Sequence, residues 1–116
     1  MAARPIIIDC DPGQDDAINL LLAMSSPDEL EIRGITAVAG NVPLALTERN
    51  TRQICDIAGR SDTRVFAGCA EPMQRSLLTA EKVHGNTGID GVAIVEPRTP
   101  LEEQHAVDFL IETLLS

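Results

Sequence analysis

Four carboxylates fall within eight residues of the stretch IIIDCDPGQDDAINLLL, which starts at Ile6: Asp9, Asp11, Asp15 and Asp16. A run of isoleucines precedes them and a run of leucines follows, so the fold should hold them close together. Two unit charges about 4 Å apart repel by roughly 4 kcal/mol at an effective dielectric of 20. A helix N-terminus returns only about 0.3–1 kcal/mol. A cation or shared protons must therefore hold such a cluster at neutral pH, and an all-oxygen ligand set suits calcium or magnesium. The spacing excludes an EF-hand, because Gln14 stands where that loop needs Gly and Leu20 where it needs Glu. It also departs from the D-x-D-x-[TV] motif of aspartyl-nucleophile phosphotransferases, since Gly13 occupies the Thr or Val position. A solvated loop of Asp caps fits poorly with flanking runs that read as buried.

The elements that position this cluster follow from pattern. Pro5 to Asp9 is short and β-branched, which predicts a fully buried strand. Pro12-Gly13 breaks it, and DDAINLLLAMSS predicts a helix with Asp15 and Asp16 at its N-terminus, where the dipole favours acids. Residues two apart share a strand face, so Asp9 and Asp11 point one way and Cys10 the other. EIRGITAVAG (Glu31 to Gly40) predicts a second strand. NVPLALTERNTRQICDIAG predicts a second helix, with Leu44, Thr47, Thr51, Ile54 and Ala58 at helical spacing and Gly59 as the stop. Thr63 to Gly68 predicts a third strand.

This alternation implies an α/β fold, a doubly wound, Rossmann-like, mostly parallel sheet with right-handed crossovers. In such sheets the ligand crevice lies outside the carboxyl ends of the strands. The acid cluster, the AGN after the second strand and the AGCAEP after the third all fall at that edge. From Cys69 to about Pro100 the chain is a long, Gly-punctuated segment, a length more often functional than idle. LEEQHAVDFLIETLLS then resumes helical spacing through Ala106, Phe109, Leu110, Thr113 and Leu114. Three strands and a terminal apolar helix make a thin sheet with an exposed edge. Residues 1–116 thus read as one incomplete α/β domain.

Composition narrows the function. Nine Lys and Arg against eighteen Asp and Glu give a formal charge of −9, and there are two Phe and no Trp or Tyr. Neither a phosphate-tracking surface nor a base-stacking platform for nucleic acid is expected. No apolar run approaches the roughly 20 residues that span a bilayer, and MAARPIIID is too short for a secretory signal. A cytoplasmic protein without membrane contact is the expectation. Cys10, Cys55 and Cys69 make neither a zinc pattern nor a disulfide framework and read as small buried apolar residues.

DCDPGQDDA after a first strand resembles the D-x-D-P-G-x-D-D signature of the inosine–uridine preferring nucleoside hydrolases. GITAVAGN (Gly34 to Asn41) and VHGNTGIDG (Val83 to Gly91) extend the resemblance in the family's order over nearly the whole chain. It implies hydrolysis of the N-glycosidic bond of a ribonucleoside such as inosine or uridine, giving ribose and free base. It implies a calcium ion at the foot of the pocket that binds the ribose hydroxyls and the attacking water. By the same resemblance Asp11 is a calcium ligand and the base that takes the water's proton, and Asp16 is the second ligand. Asp15 accepts a ribose hydroxyl, Asn41 binds ribose, His84 lies near the nucleobase, and Asp9 supports the loop. Negative surroundings suit an oxocarbenium-like transition state. A homo-oligomer is also implied.

Plainer readings stand beside these. Asn41 could cap the second helix, and His84 could be a surface loop residue. His105, at a helix start without a matching motif, reads as solvated, and Asp90 as part of a turn. Members of the family are much longer, and their second half supplies further calcium and ribose ligands. The chain is therefore expected to be the N-terminal portion of such an enzyme, with little activity alone. The alternatives are a non-catalytic nucleoside- or calcium-binding remnant, or a structural fragment that dimerises through its open edge.

Overall fold

The structure is a computed structural model that describes residues 2–93 and 95–116. Its elements run β1 (Arg4–Cys10), α1 (Gln14–Met24), β2 (Leu30–Ala37), α2 (Leu44–Ile57), β3 (Val65–Ala67), α3 (Glu81–His84) and α4 (Ala106–Leu115). The three strands form one parallel sheet in the order β1-β2-β3. Each expected strand and helix is present, with the strands ending a residue or more from the expected limits.

Helices cover both faces. On one, α1 and α2 bury Leu20, Met24, Ile54 and Cys55 against Cys10, Ile35 and Val65 of the sheet. On the other, α4 packs Ala106 and Phe109 against Phe66 of β3. The Phe66 and Phe109 rings stack with centroids 3.9 Å apart and planes 13° from parallel, and the Arg64 guanidinium lies 5.0 Å from the Phe66 centroid. Aromatic pairing contributes beyond simple area burial.

Helix α2 follows the sequence pattern closely, because Thr47, Thr51 and Ile54 are all buried. It stops where expected. Gly59 has φ 71°, its N–H donates to Asp56 O, and the Arg60 N–H donates to Cys55 O. Those two bonds make a Schellman ending, which needs a left-handed residue at that point.

Two expectations are corrected. Strand β1 is not fully buried: Ile6, Ile7 and Ile8 are half-buried, Asp9 is exposed, and only Cys10 is enclosed. The physical reason is its place at the edge of the sheet, where one flank has no neighbouring strand among the described residues. Cys69 is exposed, while Cys10 and Cys55 are buried. It follows the last residue of β3 by two positions, outside the layer that the helices cover.

The thiols should therefore differ in chemistry. Burial pushes the Cys55 thiol up to about 11. Burial, and then the nearby Asp16, Asp9 and Asp11 charges, push Cys10 further still. Only a thiolate attacks alkylating reagents. In the native chain at pH 7.5, mass spectrometry should find one rapid modification, at Cys69. Cys10 and Cys55 should react only after denaturant is added, and fast labelling of either in the folded chain would contradict this burial.

Among the described residues no helix is long and apolar enough to cross a membrane.

Candidate active site

The site forms where β1 and β2 end. Asp9 lies on β1 opposite Thr36 of β2, and the Thr36 hydroxyl donates to Asp9 Oδ1 at 2.5 Å. Thr36 is fully buried, so this bond anchors Asp9 to the sheet. Asp11 is the first residue beyond β1. Its Oδ2 accepts the Asn41 N–H at 2.9 Å, and its carbonyl accepts Asn41 Nδ2 at 2.8 Å. The β2–α2 loop passes so close that a Cβ on Gly40 would overlap the Asp11 carboxylate. Only a residue without a side chain allows that approach.

Asp15 and Asp16 lie in the first turn of α1, as expected. Asp16 turns back to the strand end, and its Oδ2 accepts the Asp11 N–H at 3.3 Å. Burial, followed by the Asp11 and Asp15 charges, pushes the Asp16 carboxyl above its ordinary value, against the opposing bond from the Asp11 amide. Asp15 is exposed. None of the ion pairs among the described residues includes any of the four acids. The cluster is thus held by neutral donors and left electrostatically uncompensated.

His84 comes from far along the chain, at the end of α3. Its Nδ1 accepts the Gln14 N–H at 3.2 Å, and its ring lies close against Gly13. The imidazole is therefore docked on the acid loop and is not a free surface group. Asn41 does not cap α2, whose N-cap is Pro43; its amide is committed to Asp11. His105 is exposed and serves as the N-cap of α4, with Nδ1 accepting the Val107 N–H at 3.1 Å. Asp90 accepts from Thr87 Oγ1 at 3.1 Å within a turn.

The structure thus brings Asp9, Asp11, Asp16, Asn41 and His84 to one place, with Asp15 at its rim. Sequence reasoning missed Thr36, Gly40 and Asn50. Asn50 is buried on α2 and donates to Pro12 O and Thr87 O. A signal for it was available: position 50 falls on the same helical stripe as Thr47, Thr51 and Ile54, where a polar side chain needs a partner.

The donor set suits a hard divalent cation in kind. Asp11 and Asp16 offer oxygen ligands, and their mutual repulsion would be relieved by a positive charge between them. In number they are two of the six to eight oxygens that calcium takes. No group of three or more His, Cys, Asp or Glu side chains among the described residues is arranged to hold a metal. They fit as part of a ligand shell.

A parallel sheet with helices on both faces defines a doubly wound α/β protein, and the polar cluster lies at the carboxyl edge, where such folds place their ligand crevice. The chain belongs to the inosine–uridine preferring nucleoside hydrolase family, whose sequence model matches residues 6–116. It is 53% identical over 109 residues to an uncharacterized Schizosaccharomyces pombe protein, covering 94% of this chain and 35% of that one. It is 46% identical over 112 residues to the pyrimidine-specific ribonucleoside hydrolase RihA of Photobacterium profundum, covering 97% and 36%. Among solved structures, the purine-preferring ribonucleoside hydrolase from Gardnerella vaginalis superposes with a TM-score of 0.88 at 31% identity, covering 97% and 37%. A plant nucleoside hydrolase superposes with a TM-score of 0.84 at 29% identity, covering 97% of this chain and 36% of that one. The chain spans about a third of the length of the relatives it matches.

Proposed function

We propose that this chain carries the ribose-side and cation-side half of a nucleoside hydrolase centre, which cleaves the N-glycosidic bond of a ribonucleoside to ribose and free base. The observation that carries the reading is the meeting of Asp11 and Asp16 at the end of β1, with neither carboxylate in any ion pair among the described residues. Relatives described as pyrimidine-specific and as purine-preferring match the same region, as shared ribose-side machinery should.

In this reading Asp11 and Asp16 hold calcium, and when bound it supplies Lewis acidity and a grip for vicinal hydroxyls. Asp11 accepts the proton of the attacking water as general base. The Asn41 N–H holds that carboxylate through Oδ2 while Asn41 Nδ2 holds the Asp11 carbonyl, which lowers the reorganisation needed at the moment of transfer. Asp15, exposed at the rim, accepts a ribose hydroxyl, and Asn41 presents its remaining amide oxygen to the sugar. His84 faces the nucleobase from its seat on Gly13. Asp9, tied to Thr36, keeps negative charge beneath the developing oxocarbenium ion.

Three unpaired thiols fit a reducing, cytoplasmic location. Exposed Ile18, Leu22 and Ile57 on the outer faces of α1 and α2 offer apolar surface for a homo-oligomer.

A second reading is favoured by the ligand count: with two carboxylates in place, the chain alone would bind nucleoside or calcium without turnover. Calorimetric calcium titration of the 116-residue chain beside Asp16→Asn tests both. Saturable binding on the order of micromolar, weakened at least tenfold in the variant, is expected for a preorganised loop. Millimolar or absent binding would sink the idea that this chain assembles the cation site by itself. Ribose release from inosine or uridine by the same chain is expected to be negligible.

A further inference from the structure

Asn50 is 2% exposed and lies on α2, whose buried Ile54 and Cys55 serve the core and whose buried Gln53 donates to Ala93 O. Its side-chain nitrogen reaches two loops at once, donating to Pro12 O at 3.2 Å and to Thr87 O at 2.7 Å. A primary amide has two N–H donors, so both are used.

The first acceptor belongs to the acid loop. Three successive carbonyls of that loop are held: Asp11 O by Asn41, Pro12 O by Asn50, and Gly13 O by the Ala17 N–H. The second acceptor belongs to the loop that follows His84 at the end of α3. Next to it Gly88 is buried with φ 90°, and a Cβ there would come within 3.0 Å of both Asn50 Nδ2 and Pro12 O. The three segments are in direct contact, with no room for a side chain at that point. His84 Nδ1 and the Gln14 N–H form the other link between the same two loops.

The choice of residue type also has a reason. A neutral amide satisfies two buried carbonyls and adds no charge beside four acids. A lysine or arginine there would bring a permanent cation next to the cluster and compete with a metal.

We propose that Asn50 is a positioning residue that locks the acid loop and the His84 loop into one frame. This rests on the reading given above, in which the carboxylates face the cation and ribose and His84 faces the base. Removing the amide frees both loops to shift relative to each other. Outer hydrogen-bond partners of metal ligands commonly change metal affinity by about 10–100-fold.

The test uses Asn50→Ala in the 116-residue chain, with Thr51→Val as a control of equal burial on the same helix. Circular dichroism establishes that each is folded. Asn50→Ala is expected to weaken calcium binding by about tenfold or more. It should also shift the His84 imidazole resonances toward those of exposed His105 and speed amide exchange at Gly88. Thr51→Val should lower the thermal midpoint and leave all three readouts in place. A folded Asn50→Ala chain with unchanged calcium affinity, His84 resonances and Gly88 exchange overturns the proposal.

If the unsubstituted chain binds no calcium, the cation reading fails, and the His84 and Gly88 readouts still decide the role of Asn50. If Asn50→Ala does not fold, the unsubstituted chain decides it. Its Asn50 side-chain amide protons should then exchange slowly, and fast exchange overturns the proposal.

Discussion

Asp11→Asn should reduce kcat by about 10²–10⁴-fold, the range for loss of a general base, in a chain completed with the C-terminal two-thirds of a relative such as RihA. The amide oxygen of Asn could still accept the Asn41 N–H that now meets Asp11 Oδ2, so the loop need not unfold. What is lost is the negative charge: an amide neither accepts the water's proton nor attracts a divalent cation. Single-turnover ribose release from inosine or uridine, measured at saturating substrate, reports the chemical step directly. Retention of kcat within about tenfold would exclude Asp11 as the base. Excess calcium that restores activity in the variant would assign Asp11 to metal binding and leave the base elsewhere.

The largest expected effect on stability is at Asp56, a residue outside the site. Its carboxylate accepts four hydrogen bonds: the Arg98 N–H at 2.6 Å, the Thr99 N–H at 2.9 Å, the Thr99 hydroxyl at 2.6 Å and the Ser61 hydroxyl at 3.1 Å. It thereby ties the end of α2 to the segment that leads into α4, and Thr99 is fully buried at the joint. Hydrogen bonds to a charged group are worth about 1.5–3 kcal/mol each when enclosed. Asp56 is half-buried, so solvent screening reduces the sum. Asp56→Ala should cost about 2–3 kcal/mol, which for a chain of this size lowers Tm by roughly 10 °C.

The pH dependence has a definite sign. Burial alone would raise the Asp56 carboxyl, but the Thr99 hydroxyl and the Arg98 and Thr99 amides outweigh it and hold the group below its ordinary 3.8. A depressed folded-state pKa contributes stability that is complete above the unfolded value and is lost as pH falls through the folded one. Thermal melts of the native chain should therefore lose stability below about pH 4, and Asp56→Asn should flatten that acid limb. A variant melting within about 2 °C of the native chain at pH 7 would show that the clamp contributes little.

Neither Asp56 nor Asn50 was singled out from the sequence, while Asp11, Asp16 and His84 were. The difference has a physical basis. The acids announce themselves because like charges crowd into eight residues, a local anomaly that must have a purpose. Asp56 stands near the end of a helix, an ordinary place for a polar residue. Its acceptor role depends on a segment some forty residues away, and no local pattern encodes that closure.

Local sequence determined a good deal. β-branched runs, Gly and Pro breaks and the stripe through Thr47, Thr51 and Ile54 specified the strands, α2 and its Schellman stop, because those preferences act within a few residues. Their alternation also determined the parallel topology, since a parallel pair needs a crossover. Tertiary structure decided the rest. It made β1 an exposed edge and left Cys69 outside the layers. It set Gly40 against Asp11 and Gly13 against His84, and it used Asn41 to grip the acid loop instead of capping α2. Each of these depends on which distant segments meet, and hydrogen bonds and close approaches between distant segments exist only after the chain has folded.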